Sequence, residues 1–319
     1  MGWLAAWRGG RHEAADPRLL EWIGRAVDRV DPRLRQVGGF PAAYAKSVAH
    51  ALDYAHRLAD ALPGPVLINR ETFASDPLVH ALFASAEDIQ AALCASQAMR
   101  TFHGEHPEAR EVYAMICMRR GTKALLGMDM VDGLLRRDVP QQAVYFTDHT
   151  VAEPGRTEAE ARARIAEGFF DSLVTHVVRR IEARKAERAH LEQARDECLA
   201  RLHGAAPDRR AVLSADLNQI LGQLAELGTS LDLRRYIDDF EAVMDAPEQH
   251  LYIEHQAMVL DSMGVLRGAE SPGNTTLEFC DLTGRDRRRW TVVLMYCNQV
   301  AEVASLGERL SSAQRWLGL

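Results

Sequence analysis

The chain has 319 residues, 47% hydrophobic and 26% charged, an ordinary globular balance with enough apolar side chains for one large core or two smaller ones. A net charge of −7 disfavours a general nucleic-acid coat, because neutralising phosphate needs a positive surplus. Lysine occurs only at Lys46, Lys123 and Lys185 among 38 basic residues. This looks like the coding bias of a GC-rich bacterial genome, so an arginine cluster here says little about bidentate recognition.

The five cysteines are odd in number and scattered, with no C-x-x-C pair; free thiols and a reducing, cytoplasmic setting are expected. The opening "MGWLAAWRGG" has no basic n-region, and the apolar run at 290–297 is eight long, far short of the roughly 20 residues of a membrane span. A soluble chain without a membrane partner is expected.

Asp16-Pro17 supplies a cap and a first-turn proline, after which Leu20, Ile23, Val27 and Val30 form one stripe that Pro32 ends. Pro41 opens a second helix with Tyr44, Val48, Leu52, Ala55, Ala59 and Leu62 on one face, and Pro63-Gly64-Pro65 stops it. Asp76-Pro77 begins a short helix. Ser85, with Asp88 at the reciprocal position, begins another that should bury Ile89, Leu93 and Met99. The first hundred residues read as all-helical.

Near Glu111 the period changes. "VYAMICMRR" and "KALLGMDMV" read as strands joined through Arg120-Gly121-Thr122, and "AVYFTDHTV" follows a loop containing Pro140. From about Thr157 the helical period returns. Phe170, Val174, Val177, Ile181, Leu191, Cys198 and Leu202 share one heptad phase, as do Arg184, Arg188 and Arg195. After a stop at 203–208, Leu213, Leu217, Ile220, Leu224, Leu227 and Leu231 step alternately by four and three, a coiled-coil seam. This predicts an antiparallel helical hairpin with its tip near Gly204, placing Leu202 opposite Leu213, Cys198 opposite Leu217 and Leu191 opposite Leu224. Leu217, Ile220, Leu224 and Leu227 should be substantially buried. "RRYIDDFEAVM" continues to Pro247.

Strands resume as "LYIEHQAMVLD", "TTLEFCDLT" and "RRWTVVLMYC", with turn residues Ser271 to Asn274 and Gly284 between them. Residues 301–317 read as a closing amphipathic helix. "GLLR" then "FTDHT" (133–150) echoes "GVLR" then "FCDLT" (264–283), either as a duplicated β unit or as a chance likeness of two hairpins.

Strong catalytic motifs, including phosphate-binding loops, H-E-x-x-H and G-x-S-x-G, are absent. His103 and His106 are the metal candidates: two imidazoles three residues apart share a face if the helix continues, although no third ligand stands out. The alternative is a solvated helix end, as Gly104 and Pro107 suggest. Only Glu187 and His190 fit the E-x-x-H of a di-iron bundle. Asp238, Asp239 and Glu241 read as a solvated face, Cys94 and Cys117 as inert core thiols, and Trp3, Leu4 and Trp7 as a cluster packed on the body.

The stretch "DLTGRDRRRW" (281–290) carries four arginines. Arg285, Arg287 and Arg288 could receive an anion near the turn. Alternatively the turn only guards a sheet edge, since Arg287 and Arg289 face one side of an outgoing strand and Arg288 the other. Over a few residues "DLTG" resembles the signature of the PilZ cyclic-di-GMP module, R-x-x-x-R followed by [DN]-x-S-x-x-G. Asp281 and Thr283 match it, but Asp286 stands where glycine is required and no R-x-x-x-R precedes it. The chain is not assigned to that family.

The expected fold class is α+β: an N-terminal helical region (1–105), a first β segment (106–155), a coiled-coil-like antiparallel helical hairpin (156–247), and a second β segment with a C-terminal helix (248–319). The two β segments would supply a mainly antiparallel sheet with the hairpin inserted between them. Lacking a catalytic constellation, and expecting no cofactor, we read the chain as a non-catalytic adaptor or assembly protein. It would act through the hairpin on a protein partner or on itself. The alternatives are a regulatory module that recognises a nucleotide or other anion near the 284–290 arginine turn, and an enzyme whose site is assembled from separated residues.

Overall fold

The computed structural model describes residues 16–37, 39–131, 134–230, 233–268, 274–284 and 289–298. Trp3, Leu4, Trp7, Leu231, Arg285, Arg287, Arg288 and the expected 301–317 helix lie outside the described residues. The fold is α+β, with long helices and a six-stranded, mainly antiparallel sheet. It divides into two compact units, residues 1–53 with 170–250 and residues 54–169 with 251–319.

The first unit is helical. Helix α1 (Pro17–Val30) starts where the Asp16 carboxylate accepts from the Arg18 amide, and it buries Leu19, Ile23, Ala26, Val27 and Val30. Trp22 meets Phe170 edge-on at 5.2 Å, and Phe170, Val174, Val177 and Ile181 form the buried stripe of α7 (Glu158–His203). Of α2 (Ala42–Asp60), Tyr44, Val48, Ala51 and Leu52 are buried in this unit. Tyr44 stands edge-on to Phe240 of α9 (Leu233–Asp245) at 5.4 Å. Helix α8 (Pro207–Ser230) follows α7 after a short connection. The Cys198 thiol donates to the Leu213 carbonyl at 3.3 Å, so this turn of α7 faces the 213–217 turn of α8, close to the expected register.

The second unit is built on the sheet, in the order β3-β2-β6-β5-β4. Strand β2 (Val112–Val131) pairs along its whole length with β3 (Leu134–Gly155), but with β6 (Arg289–Cys297) only over 112–118. Strands β4 (Leu251–Leu260) and β5 (Thr275–Gly284) complete the path, so the two β segments share one sheet. A turn after β4 reaches back to β3 through the Ala143–Val265 bridge and the Val144 N–H, which donates to Gly264 at 2.9 Å. One face of the sheet, with Ile116, Met118, Phe146, Phe279, Val293 and Met295, packs on short helices α3 to α6.

Those helices are α3 (Arg70–Ser75), α4 (Pro77–Leu82), α5 (Ala86–Ala95) and α6 (Gln97–Glu105). The helix expected from Ser85 through Met99 is broken at Ser96, whose hydroxyl caps α6 and also donates to the Val151 carbonyl at 3.0 Å. Strand β1 (Val66–Leu67) was not expected; it pairs in parallel with β6. Gly64 permits this, because a Cβ there would sit 2.3 Å from the Leu294 carbonyl oxygen. Leu62 is buried, and Arg162 of α7 closes the end of α2 by donating to the Ala59 carbonyl at 2.7 Å, satisfying one of the last-turn carbonyls.

The strand boundaries need correction. Arg120-Gly121-Thr122 is not a turn and Pro140 is not in a loop: β2 and β3 form one hairpin of 20 and 22 residues. Gly121 is a slot rather than a bend, since an added Cβ would meet the Tyr145 ring at 2.4 Å. Pro140 is tolerated because β3 is an edge strand. Three register shifts mark the hairpin, and opposite each stands a left-handed residue of β3: Asp138, Asp148 and Glu153 at φ 60°, 55° and 52°. These are β-bulges, which sharpen the twist. The 133–150 and 264–283 echo is not two equivalent units, since "LLR" continues in one strand to "FTDHT", whereas "GVLR" lies in the turn after β4.

Candidate functional site

The described residues on either side of the 285–288 stretch form an ion network around the buried Asp281. Asp281, on β5, is 1% exposed and accepts from the Thr291 hydroxyl at 2.8 Å and from Arg120 at 2.6 Å. Arg120 also donates to Gln256 at 2.5 Å, and its guanidinium lies 5.7 Å from the Phe279 ring. Arg289 reaches Glu254 at 3.0 Å and Asp281 at 3.9 Å. Strand register explains the convergence, because Asp281 pairs with Thr291, and Met118, two residues before Arg120, pairs with Thr291 from the other side. Asp281 and Thr283, the residues matching the PilZ signature, are both buried. Both described arginines are matched by carboxylates, which holds the end of the sheet together.

The two histidines are not brought together as metal ligands. Helix α6 ends at Glu105 and His106 is its C-cap in a non-helical conformation, so the continuing helix that a shared face requires is missing. Both rings instead lie against Phe102, at 5.9 and 5.0 Å between centroids. Burial lowers the His103 pKa. No group of three or more His, Cys, Asp or Glu residues is placed to hold a metal among the described residues. Cys94 is buried, and burial pushes the Cys117 thiol up to about 12.

The hairpin seam is visible but only partly covered. Leu213 is buried, whereas Leu217, Ile220, Leu224 and Leu227 are half-buried, less than expected. Helix α8 meets α7 at the Cys198–Leu213 turn, beside the buried Leu213, and the stretch of α7 at 186–190 is exposed throughout. Farther along α7, one arginine of the apolar phase, Arg184, has a purpose that sequence reasoning missed. Asp239 of α9 is buried rather than solvated; it accepts from Arg184 and from Arg180, the latter at 2.9 Å. The signal was available: Asp239 falls on the same helical face as Tyr236, Phe240 and Val243.

Two features have no counterpart in the sequence reading. Beyond Met118, β2 and β3 have only each other as partners, and this two-stranded ribbon exposes Leu126 (68%), Met128 (58%), Leu134 (67%) and Leu135 (62%). The two residues between its strands are Asp132-Gly133, the dipeptide favoured in two-residue hairpin connections, which would have pointed to it. The second feature is a cavity of about 560 Å³ at the ribbon's base.

No helix among the described residues is long and apolar enough to cross a membrane. No protein-family model, curated protein or solved structure matches the chain.

Proposed function

We propose that the protein is a non-catalytic interaction protein, an adaptor or assembly component that works through the α7–α8 hairpin. The observation that supports this reading is the half-covered seam, in which Leu217, Ile220, Leu224 and Leu227 lie in one row and keep part of their surface in water. A further helix laid along that row would bury them. A second copy of the same chain is the simplest source of one, because an isologous contact presents the same row from both sides. The exposed leucines of the ribbon add to the apolar surface that an interaction protein would use.

Equilibrium sedimentation over a wide concentration range tests the self-association part. A mass above that of the 35.5 kDa chain is expected, lowered to the monomer by Leu221→Glu on the exposed flank of α8, with helix content unchanged. A strict monomer at the highest concentration would remove self-association from the proposal.

A further inference from the structure

Past Met118, β2 and β3 leave the sheet as a two-stranded ribbon. Such a ribbon is at best marginally stable in water, and three or more strands with an apolar face are needed to hold one. The devices that blunt a sheet edge are all on β3. It carries the left-handed bulge residues and Pro140, which has no N–H to offer. Its 142–144 stretch is also occupied by the turn after β4, where the Leu266 N–H donates to the Gln142 carbonyl at 2.8 Å and the Val144 N–H to Gly264 at 2.9 Å. Strand β2 has neither a left-handed non-glycine residue nor a proline along 122–130. Its only strand partner there, among the described residues, is β3.

The even-numbered residues of β2 share one face, which exposes Leu126 and Met128, with Leu135 on the same face opposite Met130. One register of self-pairing matches charge as well as apolar surface. Two antiparallel β2 strands centred on Leu126 oppose Leu126 to its own copy, Ala124 to Met128 and Lys123 to Asp129. Opposite charges in directly opposed positions attract, and a two-fold axis makes the pair twice. Moving the centre by one residue sets Lys123 against Gly127 or Val131 and loses the match. Within the hairpin Lys123 is paired with Ala143; it is exposed and has no ion pair among the described residues.

We propose that the β2 edge is a self-recognition surface: it pairs in antiparallel with β2 of a second copy about a two-fold axis at Leu126, joining the two ribbons into one sheet. This contact is separate from the hairpin seam. It is short, and bringing two chains together is unfavourable in itself. It is therefore the weaker of the two contacts, and the Leu221→Glu chain sediments as a monomer while pairing transiently at β2. The test uses the full-length Leu221→Glu chain, in which the seam takes no part. Leu126→Cys puts a thiol on the axis, where opposed Cα atoms lie about 4.5–5.5 Å apart, within disulfide reach. Mild oxidation should give a covalent dimer. Ala124→Cys, whose thiols stand off the axis and out of reach of each other, should give no more than the Leu221→Glu chain itself. Lys123→Asp sets like charges opposite each other and should slow cross-linking of Leu126→Cys about ten-fold; adding Asp129→Lys should restore it. Absence of the Leu126→Cys dimer, or an equal yield from Ala124→Cys, would overturn the pairing. A rate unmoved by Lys123→Asp, or not rescued by Asp129→Lys, would overturn the register. Failure of the seam reading shows separately, as a mass that Leu221→Glu leaves unchanged.

Discussion

At Asp239 a single carboxylate decides how α7 and α9 meet. Burying a charge is tolerated only when it is paired and hydrogen-bonded, and Arg180 and Arg184 provide both. Removing one partner of such a group leaves the others stranded, at about 3–5 kcal/mol. Asp239→Ala should therefore shift urea unfolding by that amount, whereas Asp238→Ala, at an exposed position one residue away, should leave it nearly unchanged. A loss at Asp239 as small as the ~0–1 kcal/mol of a surface pair would mean that the arginines are held by water instead. The bulge at Asp138 offers a second test at this scale. Its φ of 60° is tolerated by Asp but costs a β-branched residue about 1–2 kcal/mol. Asp138→Val should be destabilising and Asp138→Gly neutral or better in thermal melts; the reverse order would show that the bulge shifts its register.

Among the elements, helices were more legible than strands, for a physical reason. Asp16, Asp76 and Ser85 each cap a helix, and the stripes of α1 and α2 bury the residues their spacing selects except Leu20, which is half-buried while Leu19 is buried, because a helix reports its packing face within a few turns. Strand β2 gave a weaker signal. Past Met118 it leaves the core, so apolar–polar alternation no longer separates inside from outside, and a glycine accommodating a ring looks the same as a glycine making a turn. The cavity was not legible at all, since its walls come from residues 74 to 277. Asp239 was misread because Arg184, on an apolar phase, looked like damage to the seam rather than a pairing partner; Arg188 and Arg195 of the same phase pair within α7. The seam itself supports a graded prediction. Leu213→Ala, at a buried position, should cost about 2–5 kcal/mol. Leu224→Ala, half-buried, should cost about 1–2 kcal/mol, and Gln223→Ala on the flank almost nothing. Equal losses at Leu213 and Leu224 in the purified chain would show that the seam is fully covered, by another segment or another copy.

Over the whole molecule, acid should act on both units together. Asp28 and Asp31 in the first unit and Glu160 and Asp261 in the second all have lowered pKa values. For Asp28 and Asp31 the largest cause is the hydrogen bond from Arg35 and from Arg33, respectively. For Asp261, burial pushes upward, but the Val265 and Met263 amides and Arg267 outweigh it. A carboxylate with a folded pKa below its unfolded value of about 3.9 stabilises the fold above that value and loses the contribution as pH falls through the folded pKa. Stability should therefore hold from about pH 7 to pH 5 and then fall below about pH 4. Asp261→Asn keeps the shape of the turn but lacks the charge. It should melt below the parent at neutral pH, and the two Tm curves should converge as acid protonates the parent's Asp261. A constant offset between them down to the acid limit would mean that Asp261 acts through its shape and hydrogen bonds alone, with no contribution from its ionisation.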